Sequence, residues 1–419
     1  MTAGMSQSQK RRTALGTRGR LLGTMAVAAA WSVGFAGAAP SAVADNVQSK
    51  QWYLEPMHAE EMWKTTTGEG IKVAVIDTGV NPSTSSLKGQ VLKGLDATGA
   101  EGDETDDYDG HGTTMAELIA GTGQGGGLKG LAPGAKIIPM RVAGADWETK
   151  EALNSLDTTD AIRAAADSDA KIISMSFGND FELDEEIEAV KYAESKGKLF
   201  FAAVGNEGDK ANKPVYPAAY PEVVGVAATD QLGKASETSQ HGDFVDIAAP
   251  GNDLPRWCDT SFKRYCQGNG GTSAATAITS AAAALIWSAH PEWTANQVLN
   301  VLFDTAGRGD WEKGTLSNYL GHGIIRPAVN ILKGTGNPGE ADISPLTKEK
   351  TSGSAGSAAP SASASSQPEK KDKAEDAAMA GSSTEKNDSG QLGLILGGVA
   401  VVLVLGGGAF ALIRKRRTA

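Results

Sequence analysis

Hydrophobic and polar positions fall into two regimes along the chain. The run Ile71-Lys72-Val73-Ala74-Val75-Ile76, closed by Asp77-Thr78-Gly79, is β-branched and nearly unbroken in its apolar character, which predicts a buried strand that meets a turn. Similar short runs at 136–140, 171–176, 198–204 and 223–228 predict further strands, that at 171–176 ending at Gly178 and that at 198–204 at Gly205-Asn206. Between them, 157–167 and 185–195 carry helical periodicity, the latter with Gly197 as its stop, and a very small-residue helix is expected from about 274 to 290. Strands alternating with helices predict a mostly parallel sheet between helical layers, an architecture that builds its sites at the carboxyl ends of the strands. No internal repeat is visible.

The two ends follow different rules. Residues 1–44 have a basic stretch to Arg20, an apolar run from Leu21 and a small-x-small Ala42-Val43-Ala44 before Asp45, the layout of an export signal. The Arg11-Arg12 pair leaves twin-arginine export open beside the general route. Residues 392–413 are uncharged and apolar, about 33 Å long as a helix, enough to cross a bilayer core. The basic Arg414-Lys415-Arg416-Arg417 in the 414–419 tail predicts a cytoplasmic end and hence a single-pass, type I anchor in the plasma membrane. Residues 336–391, rich in Ser, Ala, Lys and Glu, read as a disordered stalk. That leaves 45–335 as one extracellular folded domain.

Charge and cysteines narrow the function classes. The chain has 419 residues and a formal net charge of −11, although nine of its 39 basic residues sit in the two ends, so the body is more acidic still. Such a body argues against nucleic acid as a partner. Two cysteines, Cys258 and Cys266, exclude a disulfide scaffold and a four-cysteine metal site; in an exported protein they favour one small closed loop. The acidic run Asp103-Glu104-Thr105-Asp106-Asp107 could bind calcium, but reads better as a solvated loop; no metal or cofactor is expected.

Four polar residues stand in glycine-marked settings. Asp77 precedes a glycine turn at a strand end. His111 lies between Gly110 and Gly112, which permit close backbone packing and leave the imidazole projecting. Asn206 follows a strand in Ala203-Val204-Gly205-Asn206, and Ser273 opens the small-residue helix after Gly271-Thr272. Singly, these read as a turn aspartate, a surface histidine, a loop amide and a helix cap. Together, in the order Asp, His, Asn, Ser, the segments Asp77-Thr78-Gly79, His111-Gly112-Thr113 and Gly271-Thr272-Ser273 resemble the three active-site signatures of the subtilisin superfamily over about residues 50–335. Within it the chain is similar to the mycosins, membrane-anchored proteases associated with type VII secretion, through Gln51-Trp52-Tyr53-Leu54, Ala59-Glu60-Glu61-Met62-Trp63, the two end segments and the short interval before Asp77.

The resemblance implies a subtilisin-like α/β fold of three layers with one C-terminal transmembrane helix, and a serine endopeptidase that hydrolyses peptide bonds through an acyl-enzyme. Ser273 would be the nucleophile, His111 the general base, Asp77 its orienting partner and Asn206 an oxyanion donor. The segment Ser174-Met175-Ser176-Phe177-Gly178 would be the strand that pairs with an extended substrate, Ser176, Phe177 and Gly178 forming one wall of its primary pocket and Ala203, Val204 and Gly205 the other. Partners would be a few protein or peptide substrates, type VII secretion membrane components, and the bilayer through 392–413. Two positions depart from the superfamily: Ala277 where proline is usual, and Glu117 where glycine is usual; altered helix packing is expected from both. The 32 residues from Asp45 to Ile76 are too few for a separate prodomain, so their aromatics are expected to pack permanently on the domain. The competing readings are a scaffold of the secretion assembly with dispensable catalysis, and a surface adhesin, which would leave the active-site segments unexplained.

Overall fold

In a computed structural model, residues 47–142, 155–268 and 270–351 are described; the export signal, the 392–413 span, the basic tail and the stalk beyond 351 lie outside them. Seven strands form one sheet in the order β2-β3-β1-β4-β5-β6-β7, every pair parallel. The strands are β1 (Lys72–Asp77), β2 (Leu95–Asp96), β3 (Lys136–Arg141), β4 (Ile172–Met175), β5 (Leu199–Ala203), β6 (Val224–Thr229) and β7 (Ile247–Pro250). A two-stranded antiparallel hairpin, β8 (Leu254–Trp257) with β9 (Tyr265–Gly268), stands apart. The helices are α1 (Ala59–Met62), α2 (His111–Ala120), α3 (Ser155–Asp167), α4 (Asp184–Ser195), α5 (Gly271–Ala289), α6 (Ala295–Thr305) and α7 (Pro327–Lys333).

Strand alternation divides the interior into two cores. On β1, Val73 and Val75 join one core while Ala74 and Ile76 join the other; on β5, Leu199 and Phe201 separate from Phe200 and Ala202 in the same way. This explains the unbroken apolar runs, since a parallel strand covered on both faces has no polar side. Helices α3 and α4 cover one face. The other carries α2, α6 and α5, whose residues 271–287 are all buried. Helix α5 is long and apolar enough to cross a membrane, with a mean hydropathy of 1.2, but 89% of its apolar window is buried, so it is a core helix. Its alanines let it pass close over the sheet, and it runs unbroken through Ala277.

The N-terminal segment belongs to this core. Val47, Tyr53, Met57, Ala59 and Met62 are buried in it, and the Trp52 and Trp63 indoles donate to the carbonyls of Asn252 (3.0 Å) and Leu131 (2.8 Å). The opposite boundary corrects the sequence reading. The stalk was expected from 336, yet 336–351 packs on the domain: Thr294 Oγ1 donates to the Ala341 carbonyl (2.8 Å), Asn296 Nδ2 to Thr351 Oγ1 (2.8 Å), and Ser344 is buried. Hydrogen bonds to α6 hold this polar segment, and composition does not report such bonds.

Candidate active site

Asp77 is the last residue of β1 and His111 the first of α2. Their side chains meet, His111 Nδ1 lying 2.7 Å from Asp77 Oδ1. The approach depends on missing side chains: a Cβ on Gly112 would sit 2.2 Å from the Gly79 carbonyl oxygen and 3.1 Å from Asp77 Oδ1. Thr78 ties the pair together, its N–H donating to Asp77 Oδ1 (2.8 Å) while its Oγ1 accepts from Gly112 N–H (3.0 Å).

Asp107, placed by sequence in a solvated acidic loop, is instead buried and caps α2. Gly110 at the N-cap has no side chain to offer, and Asp107 accepts from Gly110 N–H (2.8 Å), Thr113 N–H (2.9 Å), Thr113 Oγ1 (2.6 Å) and Thr78 Oγ1 (2.8 Å). The loop before it is also organised, with Arg141 donating to the carbonyls of Glu101 and Asp103, both at 3.2 Å. Among the described residues no group of three or more His, Cys, Asp or Glu is arranged to hold a metal ion. Burial pulls the His111 pKa down, but the charge and hydrogen bond of Asp77, with Asp109 and Asp107 behind it, outweigh burial and raise it to about 9.

Ser273 is the third residue of α5 and only 8% exposed. Its Oγ donates to the Ser176 carbonyl (3.1 Å), and Ser176 Oγ donates back to the Ser273 carbonyl (3.1 Å), fastening the end of β4 to the start of α5. Asn206, exposed beyond β5, accepts through Oδ1 from Thr272 N–H (3.0 Å) and Thr272 Oγ1 (3.2 Å), which leaves Nδ2 turned away from that contact. Gly271, with φ +57°, makes room: a Cβ there would stand 2.4 Å from Asn206 Oδ1. His111, Ser273 and Asn206 line one cleft.

The expected substrate walls divide differently. Ser174 sits mid-sheet, opposite Val75 and Phe201 on its two sides, and is buried. Ala203 and Val204 are buried too, and Val204 lies in the second core. These three cannot present side chains to a substrate. Phe177, Gly178 and Gly205 remain partly or fully accessible.

Cys258 and Cys266 are joined by a disulfide that closes the β8–β9 hairpin. The hairpin packs on α2: Trp257 N–H donates to Thr114 Oγ1 (3.1 Å), and Trp257 stacks on Tyr265 with centroids 3.8 Å apart. Glu117, the departure from the superfamily glycine, is fully buried and accepts from Tyr265 OH and Thr84 Oγ1, both at 2.8 Å. Burial raises its pKa to about 7 against the lowering effect of those hydrogen bonds.

A seven-stranded parallel sheet between helices, with an aspartate–histidine pair and a helix-start serine at its carboxyl edge, is the arrangement of subtilisin-like serine proteases. Residues 68–323 match the Subtilase family, and the chain belongs to it. It is 34% identical over 282 residues to thermitase of Thermoactinomyces vulgaris, covering 65% of this chain and 95% of that one. Its structural neighbours include mycosins. The crystal structure of MycP1 from Mycobacterium smegmatis superposes with a TM-score of 0.60 at 27% identity, over 71% of this chain and 88% of that one. Another MycP1 structure, described as an essential component of the type VII (ESX-1) secretion system, has a TM-score of 0.59 at 29% identity, over 69% and 90%. A third is described as MycP1 with its N-terminal propeptide removed, with a TM-score of 0.57 at 27% identity, over 67% and 96%.

Proposed function

We propose that this serine protease is a membrane-anchored extracellular endopeptidase that uses Asp77, His111 and Ser273 as its catalytic triad and acts with, or processes substrates of, a type VII secretion system. The observation that carries the chemistry is the 2.7 Å contact of His111 Nδ1 with Asp77 Oδ1 in the cleft that Ser273 also lines. Asp77 fixes the tautomer that leaves Nε2 free to accept a proton. For this step Ser273 Oγ leaves the Ser176 carbonyl and turns its hydroxyl to that nitrogen. Oγ then attacks the scissile carbonyl while His111 takes the proton, and His111 returns it to the departing amine, leaving the acyl group on Ser273. Asn206 Nδ2 and the Ser273 backbone N–H donate to the oxyanion. Water, deprotonated by His111, releases the acid product by the reverse sequence.

A fluorophosphonate probe tests the site: it labels the full-length chain and fails on Ser273→Ala. Absence of labelling on the unmutated chain overturns the triad.

The anchoring rests on the apolar 392–413 segment and its tetrabasic flank, the outward orientation on the 1–44 signal. External protease on wall-stripped cells should release the domain by cutting beyond residue 351; a fragment protected until lysis overturns the topology. The secretion role rests on the mycosin neighbours, one of them described as an essential secretion component. Peptide mapping of proteins secreted by cells carrying the active or Ser273→Ala form separates proteolysis from scaffolding: unchanged secreted termini would favour the scaffold.

A further inference from the structure

Between α2 and the disulfide-closed hairpin lies a cavity of about 260 Å³ that opens beside Ser273. The residues expected to wall the pocket for the acyl half of a substrate, Phe177–Gly178 and Gly205, do not line the cavity. The amine half must depart past His111, which supplies its proton and does line it. The cavity therefore receives the residue that follows the scissile bond.

Its floor is apolar, from Met115, Leu118, Leu254 and Ala274, and its rim carries Arg256. Among the described lining residues, Arg256 and His111 are the two that can bear charge, and no carboxylate joins them. Arg256 is exposed on β8 between buried Pro255 and Trp257, and forms no ion pair with a described residue. Its position is held firmly. It faces Cys266 across the hairpin, whose bond to Cys258 ties the two strands, and its side chain lies along Gly268, where a Cβ would come within 2.8 Å of Nε. The next residue, Trp257, is hydrogen-bonded to Thr114, one turn along the helix that begins at His111. A cation carried on a braced strand of an otherwise acidic protein selects by charge.

We propose that Arg256 is a specificity-determining residue that makes the enzyme favour an aspartate or glutamate immediately after the scissile bond. The preference rests on the triad reading, since it places the leaving amine through His111. The exposed setting sets its size at about fivefold in kcat/KM over an uncharged residue.

The test is digestion of a proteome-derived peptide library by the full-length protein, with the residue after each Ser273-dependent cut scored against its abundance and rates compared per fluorophosphonate-labelled site. Acidic residues should be enriched at that position, less so as salt rises. Arg256→Gln should level the distribution and Arg256→Glu should turn it toward Lys and Arg. A labelled enzyme that cuts without acidic enrichment, or an Arg256→Gln variant that keeps it, overturns the assignment while leaving the triad standing. Failure of Ser273-dependent labelling removes both.

Discussion

The Tyr265 hydroxyl donates to Glu117 Oε2 at 2.8 Å, joining a disulfide-closed hairpin to the helix that begins with His111 across a sequence separation of 148. Each hydroxyl on Glu117 also accepts from a backbone N–H, Tyr265 from Leu128 (3.4 Å) and Thr84 from Leu87 (3.3 Å), which steers both toward donating to the carboxyl. A glycine here could make none of these contacts. The departure from the superfamily pattern thus attaches the wall that carries Arg256 to the helix that carries His111.

Glu117 imposes a pH dependence on stability. Its carboxyl holds a proton more tightly in the folded chain, where its pKa is about 7, than in the unfolded one. The folded state therefore binds more protons between the ordinary carboxyl range and pH 7, and stability falls as pH rises through that window, then levels. Glu117→Gln removes that component of the slope whatever its absolute Tm, which thermal melts at pH 5, 6, 7 and 8 would show. An unchanged slope refutes the assignment.

Catalysis should favour alkaline conditions. In the proposed mechanism His111 acts as neutral imidazole, and its acidic neighbours raise its pKa to about 9. kcat/KM should accordingly rise with pH well beyond the range of an ordinary histidine. Asp109 is exposed and contributes by charge alone, so Asp109→Asn should move the rising limb to lower pH, and high salt should shrink that displacement. A limb at the ordinary histidine value in the unmutated enzyme contradicts the electrostatics.

Asn206→Leu should lower kcat by about 10²–10³, the loss found on removing such a donor from a subtilisin, with little change in KM. Thr272 holds Oδ1 of Asn206 in the resting enzyme, so the amide is oriented before substrate arrives. Steady-state kinetics decide it; a loss confined to KM would place Asn206 in ground-state binding.

The N-terminal segment should behave as structure. Tyr53 is fully buried and its hydroxyl accepts from Gln51 Nε2 (2.9 Å), which also donates to the Lys129 carbonyl (2.8 Å). Tyr53→Ala should cost about 3–5 kcal/mol, a fall in Tm of roughly 10 °C. One MycP1 structure is described as lacking an N-terminal propeptide. If 47–60 inhibited this chain, deleting it would raise fluorophosphonate labelling; we expect labelling to fall with stability.

What the sequence determined by itself was local. Strand periodicity around β1, β4 and β5 reflects burial on both faces, which every apolar position in a parallel strand must satisfy. Asp77, His111 and Ser273 stood out because Gly112 and Gly271 are required by contacts too close for a Cβ, and such constraints leave their mark beside the residue they serve. The strand β7 and the hairpin escaped notice because Ile247-Ala248-Ala249-Pro250 holds one β-branched residue and the hairpin strands mix Pro255, Arg256 and Gln267 with their apolar positions, whereas the equally short β4 showed through Ile172-Ile173. Tertiary structure alone decided the rest. Asp107 became a helix cap because the chain folds its carboxylate against Gly110 and Thr113, and nothing in an acidic run distinguishes that residue from its solvated neighbours. The side chains of Ser174 and Val204 were buried by strands and core packed around them. Arg256 came to line the same cleft as Ser273 because a disulfide closes its hairpin and two hydrogen bonds, from Trp257 and Tyr265, hold that hairpin on α2. Each of these outcomes depends on partners distant in sequence, and residue type and spacing do not encode which distant partner will arrive.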